Sequence, residues 1–401
     1  MTGAEHRGHM APLNVAMLLS CTSFEGFFGN VLGQSRQRYL DTYRGDWAWY
    51  YAAGLRQNGV APVLYVPALN ESGRHETDTG IAVRFLPLAR WYRPFERVWL
   101  KRLLRQSRYA LYADERLNAH ALMAPLRAAL AEDRIDLLYV QEYWSGRFDH
   151  LVHRAGIPVA GADHGGLAAT AMTGFKRPAF ARAAVLYSQT PDECASVREW
   201  GGVPTLQPNG CDTAFFCPDP AVQRSKTILT IARLTNRQKR ISDLIDALAR
   251  LPRDWTLDIV GTGPDRGMLE RQVARLGLGG RVRWHGFLGR EAVRERLRRC
   301  GVYVMASSNE AVAIAALEAM GCGCAMVLSR IRAFEHLVQD GISGRLVPVR
   351  DPDALAAAIE EGWVHREIWG QAATHRVRTR FDTRLLYGDL AQSLRQAAHA
   401  G

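Results

Sequence analysis

Short apolar runs alternate with longer helical segments along the chain, and this alternation limits the fold more than any other feature of the sequence. Segments 14–20 and 60–66 have the pattern of buried strands, and segment 109–132 has that of a long helix. The alternation restarts at residue 227. Because parallel strands need a crossover connection, usually a helix, this order predicts open parallel sheets covered by helices. The predicted fold class is therefore α/β.

A proline-rich segment divides the alternating pattern into two halves. Residues 203–226 contain four prolines and an Asn-Gly pair, which interrupt regular structure. A chain of 401 residues also exceeds one ordinary hydrophobic core. We predict a first domain over 1–203, a linker over 204–224, a second domain over 225–375 and a helical tail over 376–401.

The formal net charge of +11 favours anionic partners such as phosphorylated ligands, acidic lipid or nucleic acid. Most of the excess comes from arginines spread along predicted helices, so a solvated basic surface is the simpler explanation. The sequence has no stacking or recognition motif for nucleic acid, and nucleic acid is not a predicted partner.

The apolar runs and the cysteines both indicate a cytoplasmic protein. Every apolar run is broken well before the roughly 20 residues that a membrane span needs. The stretch 15–19 is predicted to be a first strand rather than part of a signal peptide. The seven cysteines are scattered without the spacing of a zinc site, which fits free thiols in a reducing compartment. We predict no metal site and no cofactor.

The densest motif follows the predicted strand 302–305. Glu310 lies in the loop after this strand, where its carboxylate can accept hydrogen bonds from sugar hydroxyls. Glu318 follows about two helical turns later and can bind the two adjacent hydroxyls of a ribose. The first turn of the helix has unpaired amides, which together with the helix dipole can receive a diphosphate. These amides belong to Ala311, Val312 and Ala313.

The run from Ser307 to Gly323, SSNEAVAIAALEAMGCG, resembles the E-x7-E signature of the large retaining family of GT-B glycosyltransferases. The resemblance implies two Rossmann-like domains facing across a cleft, with C-terminal helices that cross back to the first domain. It also implies that Glu310 orients the donor sugar and that Glu318 binds the nucleotide ribose. Many members have a Gly-Phe-Gly-like run where this chain has 311–313, so the identity of the sugar stays open.

Other stretches of the second half resemble the same family. The match of 227–240 implies that Arg233 and Lys239 hold the diphosphate. The turn at 209–212, the glycine-containing turn at 260–264 and the loop at 285–288 are also similar to family motifs near the nucleotide. By this resemblance, the nucleotide-sugar site includes Asn209, Gly261, Gly263 and Phe287.

The first half matches the family less well. His164 follows a predicted strand where family members place a histidine over the donor sugar. Gly26 lies in an aromatic-rich loop after the first strand, which resembles the family's glycine loop near the phosphates. Glu142 and Tyr143 follow another strand and are predicted to face the acceptor.

Structural alternatives remain open for these residues. Arg233 and Lys239 are typical of exposed surface charges as well, and His164 could cap a turn. Gly26 could be an ordinary turn glycine, Asn209 could only shape the linker, and Glu142 fits either interpretation. Asp351-Pro-Asp353 is interpreted as a helix cap rather than a metal-binding D-x-D motif.

The segment 91–108 combines aromatic residues at helical spacing with interleaved arginines and a lysine. Such a helix could rest on an anionic membrane or bind a lipid acceptor. A helix that buries its aromatic residues in the core explains the pattern equally well.

The resemblance implies metal-independent transfer of a sugar from a nucleoside-diphosphate sugar to a small-molecule or lipid acceptor, with retention at the anomeric carbon. Glu310, Arg233, Lys239 and His164 would form the catalytic set. Three other hypotheses share parts of this pattern: a sugar-nucleotide epimerase, a nucleic-acid-binding module and a non-catalytic protein that binds nucleotide sugar. The sequence does not identify the donor sugar, the nucleobase, the acceptor or the oligomeric state.

Overall fold

Two parallel sheets, each covered by helices, organise the computed structural model, which describes residues 12–44, 47–94, 108–164, 173–310 and 313–399. The strands of the first sheet are β1 (Leu13–Leu18), β2 (Val60–Ala68), β3 (Gly73–Glu76), β4 (Ala82–Pro87), β5 (Leu137–Gln141), β6 (Val159–Ala162), β7 (Val185–Ser188) and β8 (Pro204–Leu206). Its helices are α1 (Arg36–Asp41), α2 (Trp47–Gln57), α3 (Arg108–Glu132), α4 (Gly146–Leu151), α5 (Lys176–Arg182) and α6 (Pro191–Glu199).

The second sheet follows the same plan. Its strands are β9 (Ser225–Ile231), β10 (Thr256–Val260), β11 (Val282–Gly286), β12 (Cys300–Met305), β13 (Ala325–Ser329) and β14 (Arg345–Val347). The helices are α7 (Asn236–Lys239), α8 (Ile241–Arg250), α9 (Arg266–Arg275), α10 (Arg290–Arg299), α11 (Ile314–Gly321), α12 (Arg332–Leu337), α13 (Pro352–Val364), α14 (Arg366–Arg380) and α15 (Thr383–His399).

Both sheets reverse their strand order beside the first strand. The first sheet runs β3-β4-β2-β1-β5-β6-β7-β8, and the second runs β11-β10-β9-β12-β13-β14. Every pair is parallel except β3 with β4. In sheets of this kind, ligands bind outside the carboxyl ends of the strands at the point of reversal. The topology therefore marks the loops after β1 and β5 in one domain and after β9 and β12 in the other.

The C-terminal helix α15 packs on α2 of the first domain, as the predicted fold class required. The return begins where the backbone amide of Cys211 donates to the carbonyl of Phe381 (2.7 Å) and the amide of Thr383 donates to the carbonyl of Cys211 (3.0 Å). The prediction of two α/β domains facing across a cleft, with C-terminal helices crossing back, is confirmed. The chain crosses at Phe381, after α14 has ended, and the predicted linker 204–224 opens with the short strand β8.

One stretch of the first domain differs from the sequence-based expectation, and the expectation for a second stretch is not tested. The loop around Gly26 is a single π-helical turn, Glu25–Gly29, in which Phe28 is buried against Tyr39 with ring centroids 4.6 Å apart. The segment 91–108 lies mostly outside the described residues, and only the turn at its start, Arg90–Tyr92, is placed. Among the helices that the structure describes, none has the length and apolarity needed to cross a bilayer.

We expect Gly54→Ala to destabilise the protein, because a Cβ on Gly54 would lie 1.7 Å from Cδ2 of Tyr387. Tyr387 is 1% exposed and cannot swing away, so the cost should reach about 1–3 kcal/mol of unfolding free energy. Urea unfolding measures it. Gly267→Ala in α9 is the matched control, since the nearest atom there is 3.7 Å away and the change should stabilise the helix by up to about 1 kcal/mol. Equal stability of the two variants would contradict the close packing of α15 on α2.

Candidate functional site

Three charged residues of the second domain meet at the carboxyl ends of β9 and β12. Arg233 follows β9, Lys239 ends the short helix α7, and Glu310 follows β12. Nζ of Lys239 donates to Oε1 of Glu310 at 2.5 Å, and both side chains are largely buried. The amide of Ser308 donates to the carbonyl of Gln238 (2.8 Å), which ties the two loops together. An incoming anion would therefore compete with Glu310 for Lys239. The side chain of Arg233 is exposed to solvent.

A cavity of about 660 Å³ lies between the two domains at this point. Arg233 and Lys239 form part of its wall on the side of the second domain. The opposite wall comes from the loops after β1, β5 and β6 and from the start of α2, and it includes Trp47, Glu142 and His164. The strand reversals of both sheets thus open into one space of a size that suits a small organic ligand.

His164 is held by three side chains of the first domain. Its ring stacks on Trp47 with centroids 3.7 Å apart, Nδ1 accepts from Nε2 of Gln189 (2.7 Å), and Nε2 lies 3.2 Å from the hydroxyl of Tyr139. Burial lowers the pKa of His164 to about 3. The imidazole is therefore neutral at physiological pH and can position a ligand without adding charge.

Asn209 supports His164 rather than lining the cavity with its own side chain. It is 4% exposed, and its amide exchanges two 3.2 Å hydrogen bonds with the side-chain amide of Gln189. Gln189 in turn donates to His164. Asn209 therefore supports His164 through the hydrogen bonds of Gln189.

Glu142 and Tyr143 are adjacent in sequence but point into different surroundings. Glu142 has a positive φ of 65°, and it lines the cavity while being 6% exposed. Burial, and next the charge of Asp163, raise its pKa well above the usual range. Tyr143 is fully buried, with its hydroxyl bonded to Ser188 (2.8 Å) and to Glu193. Tyr143 is therefore part of the core, and its predicted contact with an acceptor does not fit this placement.

Glu318 is enclosed between the two domains. Its Oε1 accepts from the hydroxyl of Tyr50, a residue of α2, at 2.6 Å. Burial raises the pKa of Glu318 to about 7, although the bond from Tyr50 and the charge of Arg290 oppose this rise. The guanidinium of Arg290 lies over the ring of Tyr50 at 5.1 Å and pairs with Asp212 at 3.3 Å. The carboxylate predicted to bind ribose is thus already paired with a hydroxyl from the opposite domain.

The two glycines of the turn after β10 allow close approach of backbone to backbone. A Cβ on Gly261 would lie 2.0 Å from the carbonyl oxygen of Ala232, and one on Gly263 would lie 2.5 Å from that of Leu234. The loop that carries Arg233 therefore packs directly against the turn after β10. The glycines are needed for packing, whatever else they contact.

The other residues predicted to bind the nucleotide sugar differ in exposure and in hydrogen bonding. Phe287 is 51% exposed and stacks on Tyr43 of the first domain with centroids 6.2 Å apart. Ala313 is the N-cap of α11, whereas Ala311 and Val312 lie outside the described residues. The amide of Gly26 is taken up by Oγ of Ser23 (2.9 Å), so it does not act as a phosphate donor in this arrangement.

Sequence analysis missed Trp47, Tyr50, Gln189 and Arg290. The aromatic run of α2 in the sequence, WAWYY, was one available signal for the first two. Gln189 and Arg290 carry no motif, and their roles depend on contacts between segments far apart in the chain.

We expect His164 to contribute to acid sensitivity, because its pKa in the folded protein, about 3, lies below the ordinary value of 6.5. The stability that neutral His164 provides is present above pH 6.5 and is lost as the pH falls towards 3. The reason is that this histidine binds a proton at a higher pH in the unfolded chain than in the folded protein. His164→Gln should reduce the pH dependence of the unfolding free energy in this window by up to about 1.4 kcal/mol per pH unit. Urea unfolding at several pH values, with His399→Gln as an exposed control, measures this. An unchanged slope would contradict a neutral, enclosed His164.

Comparison with known proteins gives a family for the second half of the chain. Residues 218–375 match the family model described as glycosyl transferases group 1. Phosphatidyl-myo-inositol mannosyltransferase of Mycobacterium tuberculosis is 33% identical over 165 residues, which are 39% of this chain and 43% of the relative. The match thus spans less than half the length of this curated relative.

Solved structures extend the likeness to the whole fold. Sucrose-phosphate synthase from Thermosynechococcus elongatus superposes with a TM-score of 0.76 at 20% identity, covering 97% of this chain and 100% of the other. Anabaena Alr3699/HepE, solved with UDP and glucose, gives a TM-score of 0.69 at 18% identity, covering 96% and 99%. Residues 218–375 are therefore similar to glycosyl transferases group 1, and the chain as a whole has a two-domain GT-B fold.

Proposed function

We propose that the protein is a glycosyltransferase that moves a sugar from a nucleoside-diphosphate sugar to the hydroxyl of a small-molecule or lipid acceptor. The observation that carries this proposal is the position of Arg233, Lys239 and Glu310. They lie at the strand reversal of the domain that matches glycosyl transferases group 1, where Arg233 and Lys239 face His164 across one cavity and Lys239 is paired with Glu310. We further propose that transfer needs no metal ion, retains the anomeric configuration and takes place in the cytoplasm.

Arg233 and Lys239 would bind the diphosphate of the donor. Charge-assisted hydrogen bonds of this kind contribute about 1.5–3 kcal/mol each. They strengthen as the leaving group gains negative charge, so they stabilise the transition state more than the bound donor. When Lys239 turns to the diphosphate, Glu310 is released to accept hydrogen bonds from the sugar. In a retaining reaction of this type, the departing phosphate oxygen receives the acceptor proton.

Glu318 would bind the ribose, and this requires an exchange of partners. The hydroxyl of Tyr50 donates to Oε1 of Glu318 at 2.6 Å. A ribose diol that uses both carboxylate oxygens would compete with Tyr50 for Oε1, and this competition is relieved when α2 withdraws its tyrosine. Donor binding is therefore coupled to a change in the contact between the domains.

An acceptor-independent reaction is the alternative that assays must exclude. A sugar-nucleotide epimerase would convert the donor without any acceptor present. A non-catalytic protein would bind the donor and leave it unchanged. Release of nucleoside diphosphate that rises with acceptor concentration supports transfer and contradicts both alternatives.

We expect Arg233→Ala and Lys239→Ala each to lower kcat by roughly 10²–10³-fold, with a smaller effect on donor binding, because the lost bonds strengthen in the transition state. Release of nucleoside diphosphate from UDP-glucose and other nucleotide sugars measures turnover. Lys226→Ala is the matched control, since Lys226 pairs only with the exposed Asp254 among the described residues. Wild-type turnover in either site variant would contradict the proposed role.

We expect Tyr50→Phe to bind nucleoside diphosphate more tightly than wild type, because the variant lacks the hydroxyl that competes for Glu318. Loss of a hydrogen bond worth about 1 kcal/mol corresponds to a roughly fivefold lower Kd for UDP or the preferred nucleotide, measured by calorimetry. Tyr51→Phe is the control, since the buried hydroxyl of Tyr51 has no hydrogen-bond partner among the described residues. An equal Kd for Tyr50→Phe and wild type would show that ribose does not exchange with Tyr50.

A further inference from the structure

We propose that Glu142 is a specificity-determining residue that binds an uncharged hydroxyl of the acceptor and disfavours phosphorylated acceptors. This inference rests on the proposed function and names the substrate class of the same site. It follows from the charges and side chains that the first domain presents to the cavity between the domains.

The two walls of the cavity differ in charge. Both cations that line it, Arg233 and Lys239, belong to the second domain, and the proposed diphosphate would engage them. The wall formed by the described residues of the first domain contributes aromatic rings, including Phe27, Tyr43 and Trp47, and no lysine or arginine. An acceptor phosphate would therefore enter this side of the cavity without a cation to pair with it.

Glu142 is the carboxyl group on this wall, and its geometry suits a ligand contact. Its φ of 65° is unusual for a residue with a side chain and costs about 1 kcal/mol or more. The side chain is 94% enclosed, yet it borders the cavity. Oε1 accepts a long bond from Nε2 of Gln141 (3.3 Å), and Oε2 has no hydrogen-bond partner among the described residues. A buried polar atom of this kind is expected to gain a partner when a ligand binds.

Burial and the neighbouring carboxyl group of Asp163 favour the neutral form of Glu142. Burial, and next the charge of the neighbouring Asp163, raise its pKa well above the usual range. The same two causes raise the pKa of Glu193, on the other side of Asp163, to about 9. His164 beside them is neutral, because burial lowers its pKa to about 3. The acceptor wall therefore presents a cavity-lining carboxyl group whose neutral form is favoured, next to the carboxyl group of Asp163.

A protonated carboxyl and an alcohol are matched partners. The carboxylic acid donates one hydrogen bond and accepts others, and a hydroxyl can do the same. The aromatic rings can pack against the apolar face of a sugar or another ring. A phosphate monoester would instead place up to two negative charges near Asp163, without a cation on this wall. The arrangement thus selects an uncharged, hydroxyl-bearing ring compound.

The test compares acceptors that differ only by a phosphate. Wild-type protein, supplied with the nucleotide sugar it consumes, is assayed with myo-inositol against myo-inositol 1-phosphate and with glucose against glucose 6-phosphate. We expect kcat/KM to be at least about tenfold higher for the uncharged member of each pair. A preference for the phosphorylated member of either pair would overturn the proposal.

Two substitutions then test Glu142 itself. Glu142→Gln keeps the shape and the neutral donor, so acceptor KM should stay within about threefold, whereas Glu142→Ala should raise acceptor KM by about tenfold with donor KM unchanged. Glu132→Gln is the control, because Glu132 is an exposed partner of Arg84 far from the cavity. Loss of activity in Glu142→Gln as large as in Glu142→Ala would overturn the neutral role, since it would mean that a carboxylate is required.

Different results would contradict the proposed function and the proposed role of Glu142. If the wild-type protein binds and consumes no nucleotide sugar, the proposed function is wrong. If it consumes a nucleotide sugar and transfers it preferentially to phosphorylated acceptors, the proposed function stands and only the role of Glu142 is wrong.

Discussion

The backbone contact between Cys211 and the chain at Phe381 and Thr383 holds the two sheets face to face. Two main-chain hydrogen bonds form there, and Asp382 also accepts from the hydroxyl of Thr213. Beyond this point α15 lies on α2, where Gly54 leaves room for Tyr387. Because α2 and the last helix, α15, are packed together, the strand reversals of both sheets open towards one cavity. Neither domain alone would bring Lys239 and His164 to the same space.

Protein groups pair with several of the residues assigned to ligand binding. Lys239 is bonded to Glu310, and Glu318 is bonded to Tyr50. Leaving such buried groups unpaired would cost about 1–3 kcal/mol each. Ligand binding at these positions therefore replaces existing hydrogen bonds. The net binding free energy is smaller than the free energy of the new bonds alone. Glu142 differs, because its Oε2 has no partner to give up among the described residues.

The parts of the fold that depend on local pattern were predictable from the sequence, and those that depend on contacts across the chain were not. Apolar strands such as β2 and β12 lay where the alternation predicted them. The edge strand β3 was missed because its residues, GRHE, are polar and mostly exposed. Gly26 was assigned to a phosphate loop by resemblance, whereas Phe24 and Phe28 beside it are buried in the core and the chain forms a π-helical turn. Tyr143 was expected to face the acceptor, but its hydroxyl is bonded to Ser188 and Glu193 from segments about 45–50 residues away, which a local pattern does not show.

The donor side and the acceptor side differ in how much sequence alone can say about them. Arg233, Lys239, Glu310 and Glu318 lie within one domain and at fixed distances along the chain, so a motif can identify them. Tyr50 meets Glu318 across 268 residues, and the pKa of Glu142 depends on Asp163 from another segment. In the proposed function, the cations for the diphosphate belong to one motif-bearing domain, whereas the acceptor wall is assembled from separate segments of the first domain. The acceptor is therefore best inferred from the burial and charge of the first domain, where motifs are weakest.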